Sequence, residues 1–73
     1  MGAIRNEIRR LRFEHGEMTQ QKLAEKIKLT RQTVNAIEQG KYSPSLEAAF
    51  RIAAVFGKPL ESVFHYSEER SED

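Results

Sequence analysis

The sequence predicts an all-α domain of five short helices, with a short two-stranded β element joining its ends. Three observations predict it. Apolar residues recur at three- and four-residue steps in successive segments, the spacing of one helical face. Thr19, Thr30 and Ser45 stand just before three of these segments, where a hydroxyl can cap the first free N–H groups. Gly16, Gly40 and Gly57 stand just after three of them, at the usual stop position.

The first segment runs from Asn6 to His15, with Ile4, Ile8, Leu11 and His15 on one face. Asn6 is its candidate N-cap, and Glu7 falls in the first turn, where the helix dipole favours negative charge. The second is capped by Thr19, and Leu23, Ala24 and Ile27 form its apolar face. Met18 before the cap and Leu23 inside it fit a hydrophobic staple. The third is capped by Thr30; Leu29 and Val34 repeat the staple, and Val34, Ile37 and Glu38 share a face. Lys41-Tyr42-Ser43-Pro44 reads as a loop. Ser45 opens the fourth helix, whose broad apolar side is Leu46, Ala49, Phe50, Ile52, Ala53 and Phe56. Lys58-Pro59 turns the chain, and Leu60 to Phe64 makes a last helical turn. Val63-Phe64-His65-Tyr66 alternates as a strand does, with Ala3-Ile4 as its candidate partner.

The chain has 73 residues and 28 apolar ones, enough for one small core. Oligomerisation is a fair expectation for a core of this size. No apolar run approaches the ~20 residues of a membrane span, and the N-terminus carries no secretory stretch. The sequence has no Cys, and its two His are 50 positions apart, which leaves no disulfide framework and no metal-ligand spacing. No Gly-rich phosphate loop or paired metal motif is present, and neither His has the company of a catalytic triad. The expectation is a soluble, cytoplasmic, non-enzymatic domain without a cofactor.

The net charge of +1 hides an asymmetry. Residues 1–66 carry 11 basic and 7 acidic groups, whereas residues 67–73 carry 1 basic and 4 acidic. The domain is thus assigned to 1–66 and a disordered acidic tail to 67–73. A basic body suits an anionic partner, and equally a solvated surface.

The second and third segments are each about eight residues long, too short to be stable alone. They must cross closely, and Ala24 supplies the small contact residue. Leu23, Ile27, Val34 and Ile37 anchor both to the body, which leaves Arg31, Gln32, Thr33, Asn35 and Ala36 off the core face. Arg suits a guanine edge in the major groove; Gln and Asn suit adenine. A solvated structural helix more often carries mixed Glu and Lys.

Residues 20–39 resemble the helix-turn-helix of phage-repressor and Cro-type (Xre-type) regulators. The matching string is Thr19-Gln20-x-x-Leu23-Ala24-x-x-Ile27, Leu29-Thr30-Arg31-Gln32-Thr33-Val34-x-x-Ile37-Glu38-x-Gly40-Lys41 and Pro44-Ser45-Leu46. The resemblance extends over about residues 6–65 and implies an all-α, five-helix lambda-repressor-like DNA-binding domain. It implies that Gln20 binds a phosphate and braces the first residues of the third helix. Arg31, Gln32 and Asn35 correspond to base-reading positions, with Thr33 and Ala36 near thymine methyls. For Arg31 a phosphate contact is the alternative. Lys41, Tyr42 and Ser43 correspond to a loop that contacts phosphates; Tyr42 packed on the body is the alternative. Arg9 or Arg10 would add phosphate contacts. Arg12 and Glu38 match a family ion pair that orients the third helix. Lys28 departs from the pattern, standing where the family turn most often has a left-handed Gly. Either the turn deviates, or the strain is tolerated and Lys28 reaches a phosphate. Phe13, on the outer side of the first helix, is a stray surface aromatic or packs on the C-terminal strand or a partner subunit.

The implied function is a sequence-specific regulator of transcription that binds double-stranded DNA. One such domain reads few base pairs, so a homodimer on a pseudo-palindrome, most simply a repressor, is expected. The dimer surface is assigned to Leu60, Val63, Phe64 and Tyr66, with Met1 to Ile4 beside them. Two alternatives stay open: an antitoxin whose acidic tail meets a protein partner, and a protein-interaction module that has lost DNA binding.

Overall fold

The computed structural model describes residues 2–68. Met1 and residues 69–73, which hold most of the acidic tail and its candidate partner contact, lie outside the described residues. The order is β1 (Gly2–Asn6), α1 (Ile8–Glu14), α2 (Gln20–Ile27), α3 (Arg31–Glu38), α4 (Leu46–Phe56), α5 (Leu60–Val63) and β2 (Phe64–Glu68). The fold is mostly helical, with one antiparallel ribbon pairing the two ends of the described chain.

Local chemistry starts three of the helices. The hydroxyls of Thr19, Thr30 and Ser45 accept from the backbone N–H groups of Lys22, Thr33 and Ala48. Each such cap is worth about 1 kcal/mol. At the other end of α4, Gly57 adopts the left-handed conformation, and its N–H returns to the Ala53 and Ala54 carbonyls.

The start of α1 differs from the sequence expectation. The helix begins at Ile8, not Asn6, and Glu7 is its N-cap residue. The cause is the ribbon: Asn6 pairs with Phe64, and the Glu7 N–H donates to the Val63 carbonyl at 2.8 Å. This pairing keeps the chain extended through Asn6. Asn6 still serves the helix from outside, since its Oδ1 accepts from the Ile8 N–H at 3.1 Å. Its Nδ2 donates to the Ile37 carbonyl at 2.9 Å, tying the end of β1 to the end of α3.

The register of the ribbon sets Ile4 opposite Tyr66 and Gly2 opposite Glu68. β2 therefore takes in Ser67 and Glu68, the first two residues counted with the acidic tail. His65 Nε2 lies 3.3 Å from Glu7 Oε2 across the junction with α1.

Ile8, Leu11, Leu23, Ala24, Ile27, Val34, Ile37, Ile52, Ala53, Phe56 and Val63 form the core, with Met18, Leu29, Val55, Leu60 and Phe64 packed at its edge. Two expectations need correction. α4 buries Ala48, Ala49, Ile52, Ala53 and Phe56, while Leu46 and Phe50 face outward. Apolar residues surround most of this helix, and the core takes only one stripe of it. Val63 is 0% exposed, so it has no surface to offer a second copy.

Lys28 closes α2 at φ 63°, ψ 42°. The turn does not deviate; it is made in the left-handed region by a residue with a Cβ. Such a residue is strained there by about 1 kcal/mol relative to glycine. Lys28→Gly should therefore raise the melting temperature by about 4–8 °C. Thermal unfolding followed by circular dichroism checks this, and an unchanged or lower midpoint would show the turn to be relaxed.

The Arg10 hydrogen bond holds the Glu7 carboxyl below its ordinary value, aided by His65. A depressed carboxylate pKa adds stability above the unfolded-state value and loses it as pH falls through the folded-state value. Glu7→Gln should flatten the acid limb of the urea midpoint plotted against pH. The effect should be small, because the group is exposed. Superimposable acid limbs for the two proteins would rule this contribution out.

Candidate nucleic-acid interface

α2 and α3 are joined by Lys28, Leu29 and Thr30 and pack against each other. Leu23, Ala24 and Ile27 of α2 and Val34 and Ile37 of α3 are buried. This fixes which side of α3 is free. Arg31 and Gln32 are exposed at its start, and Thr33, Asn35 and Ala36 are half-buried behind them. The Thr33 and Thr30 hydroxyls share a hydrogen bond of 2.9 Å.

The back of α3 is held by a polar cluster. Arg12 from α1 meets Glu38 in bidentate fashion, Nε to Oε2 at 2.5 Å and Nη2 to Oε1 at 3.1 Å. Arg12 Nη1 also donates to the Met18 carbonyl at 2.6 Å. The two side chains are only 15% and 7% exposed. Gln20, the first residue of α2, joins the cluster: its Nε2 donates to Glu38 Oε1 at 3.1 Å and to Asn35 Oδ1 at 3.0 Å.

This geometry changes the part expected of Gln20. It braces the middle and end of α3, not its first residues. Both Nε2 hydrogens are committed, which leaves Oε1, an acceptor that has nothing to donate to a phosphate. The N–H of Gln20 is the group left for an anion, because the first N–H groups of a helix lack intrahelical partners.

Lys41, Tyr42 and Ser43 follow α3 as an exposed loop. It is tied back by the Lys41 N–H on the Ala36 carbonyl at 2.9 Å. Tyr42 is exposed and does not pack on the body. Lys28 borders an open groove with Lys26 and Arg51. The two arginines of α1 part company. Arg9 shares a cleft with Gln20, Asn35 and Gln39, beside α3. Arg10 bonds Glu7 at 3.1 Å and Glu14 at 3.0 Å, and a phosphate would have to compete with both carboxylates.

Phe13 is 68% exposed and is not packed on β2. It lines an open cleft with Arg9, Arg12, Glu17 and Met18, because Ile8 and Leu11 already take the inner face of α1. His15 Nδ1 lies 3.0 Å from the Leu11 carbonyl, and its ring meets Phe56 edge-on. Sequence reasoning missed the Asn6–Ile37 link and the contact of Gln20 with Asn35. Neither leaves a signal in spacing, since each depends on how elements cross. Among the described residues no group of three or more His, Cys, Asp or Glu is placed to hold a metal ion. No helix among them is long and apolar enough to cross a membrane.

The sequence matches the helix-turn-helix family over residues 8–63. It is 44% identical over 66 residues to an uncharacterized HTH-type transcriptional regulator of Methanocaldococcus jannaschii, a match spanning 90% of this chain and 98% of the relative. The uncharacterized HTH-type transcriptional regulator YgzD of Bacillus subtilis is also 44% identical over 66 residues, with the same coverage. A third relative of that description, from Methanothermobacter thermautotrophicus, is 46% identical over 67 residues, 90% of this chain and 96% of its own length. The two crossed helices, the braced polar face of the second and a family match through most of the chain lead to one conclusion: this chain belongs to the Xre-type helix-turn-helix family of DNA-binding transcriptional regulators.

Proposed function

We propose that the chain is a homodimeric repressor that reads a pseudo-palindromic operator by laying α3 in the major groove. One observation carries this reading. α3 presents Arg31 and Gln32, with Thr33, Asn35 and Ala36 beside them, on a helix braced from behind by Arg12, Glu38 and Gln20. Arg31 pairs with guanine, Gln32 with a neighbouring base, and Thr33 and Ala36 approach thymine methyls. Phosphates are gripped by the Gln20 N–H and by Arg9, Lys28, Lys41, Tyr42 and Ser43. Arg10 is a secondary contact at most, given its two carboxylate partners. The dimer forms through Leu60, Phe64 and Tyr66 at the C-terminal end. The exposed apolar side chains of Ile4 and Tyr66, opposite each other in the ribbon, support that choice.

Selection of bound sequences from a random duplex pool, followed by affinity measured across salt concentrations, tests the proposal. A palindrome with half-sites ~10 bp apart is the expected result. The slope of log affinity against log salt then counts phosphate contacts at about 0.9 per contact. Weak binding with no enriched sequence would mean that the domain grips backbone only. No binding at low salt would refute the proposal outright.

A further inference from the structure

The amide of Asn35 is held in one orientation by a chain of hydrogen bonds that begins at a charge. The Glu38 carboxylate accepts and does not donate. The Gln20 atom 3.1 Å from its Oε1 is therefore the amide nitrogen. The second hydrogen of that nitrogen goes to the Asn35 atom 3.0 Å away, which must be the oxygen, Oδ1. Gln39 Nε2 adds a longer contact of 3.4 Å to the same oxygen. Asn35 thus turns Oδ1 toward α2 and leaves Nδ2 without a partner among the described residues. Side-chain amides are ordinarily ambiguous by a flip. Here the carboxylate at the head of the chain removes the ambiguity, and Arg12, bidentate on that carboxylate, keeps it in place.

We infer that Asn35 is a one-sided specificity residue that donates from Nδ2 to a base edge offering only acceptors, guanine or thymine, in preference to adenine and cytosine. An asparagine that reads adenine uses both amide atoms at once, accepting from N6 and donating to N7. The oxygen of Asn35 faces Gln20, so that paired contact is not made. Guanine offers N7 and O6, and thymine offers O4. Adenine also offers N7, but its N6 hydrogens lie beside it with no Asn35 oxygen to meet them, and cytosine offers its amino group alone, so both are disfavoured. The side-chain type alone suits Asn35 to adenine; the hydrogen-bond chain reverses that. The assignment rests on the sequence-specific duplex reading proposed above.

The test is selection from a random duplex pool with the full chain and with Asn35→Ala, Asn35→Asp and Gln20→Met. Each variant is first checked for the parent's circular dichroism and melting curve. The position at which Asn35→Ala loses its preference identifies the base under Asn35. Guanine or thymine is expected there in the parent, favoured about two- to tenfold over adenine and cytosine, the range of one hydrogen bond. Asn35→Asp keeps an acceptor for Gln20 but turns the outer atom into an acceptor, so that position alone should switch to an amino base. Gln20→Met frees the amide to flip, so adenine should join guanine and thymine there. Adenine preferred by the parent at that position would overturn the assignment. So would a selected site that Asn35→Ala leaves unchanged, or a Gln20→Met site identical to the parent's. If Gln20→Met does not fold, the parent's base and the Asn35→Asp switch decide. Failure of every chain to enrich any sequence would remove the duplex-reading proposal and this assignment with it. An enriched site with adenine under Asn35 removes the assignment alone.

Discussion

Arg12→Met should be the most damaging single substitution away from the apolar core. The Glu38 side chain is 7% exposed, and in the variant Gln20 is its one remaining donor among the described side chains. The Met18 carbonyl loses its donor as well. Removing one partner of a buried ion pair typically destabilises by 3–5 kcal/mol, because the other charge stays behind in a poor solvent. A domain of this size has only about 4–11 kcal/mol in all. The melting temperature should fall by roughly 15 °C or more, and chemical denaturation should give the same ranking. Arg12→Met with Glu38→Leu should recover a large part of the loss, since no orphaned charge remains. A single variant as stable as the parent would show that water reaches Glu38 and that the pair is not structural. The double variant has a second use. If it folds but binds DNA poorly, the ion pair orients α3 rather than merely stabilising the domain.

The parts of the fold legible in the sequence are those decided within a few residues. Thr19, Thr30 and Ser45 cap helices because a hydroxyl reaches an N–H three positions on. Leu23, Ile27, Val34 and Ile37 are buried because their spacing leaves a short helix one way to hide them. Long-range decisions are less legible. Asn6 has the chemistry of a helix cap, yet the ribbon captures it, and the pairing partner lies at Phe64. Leu46 and Phe50 are as apolar as Ile52, but α4 has only one inner stripe. Periodicity does not say which of two apolar sides the core will take. Val63 sits where helix changes to strand, so neither period assigns its direction.

The candidate site divides in the same way. The residues free on α3 follow from those that are buried, and the sequence shows both sets. What each free residue is bonded to does not follow. Gln20 is 15 positions from Asn35 and 18 from Glu38, and only the crossing of α2 over α3 brings them together. Arg9 and Arg10 are neighbours of the same type. Glu7 and Glu14, one helical turn to either side of Arg10, engage it, while Arg9 borders the cleft beside α3. Spacing at three and four residues contains that distinction, although it carries less weight than the family pattern when the chain is read linearly.

Arg31→Ala with Gln32→Ala should have the largest effect on DNA binding and almost none on folding. Both side chains are exposed at the start of α3, and neither touches the Arg12–Glu38–Gln20 cluster, so thermal unfolding should be close to the parent's. A good base contact is worth about 1–3 kcal/mol of discrimination, or about 5- to 150-fold in affinity. Two neighbouring contacts need not add, but together they should bring operator affinity down toward the level of random duplex. Affinity for random duplex should change less, with the loss confined to whatever phosphate contact Arg31 makes. Lys41→Ala should behave in the opposite way. It should weaken operator and random duplex alike and lower the salt slope by about one contact's worth, 0.9. The contrast separates the two roles within one domain. A double variant that keeps operator affinity would show that α3 does not read bases. A variant that loses operator and random duplex equally would make Arg31 a phosphate contact. Specificity would then lie with Asn35, Thr33 and Ala36, at the half-buried centre of the same face.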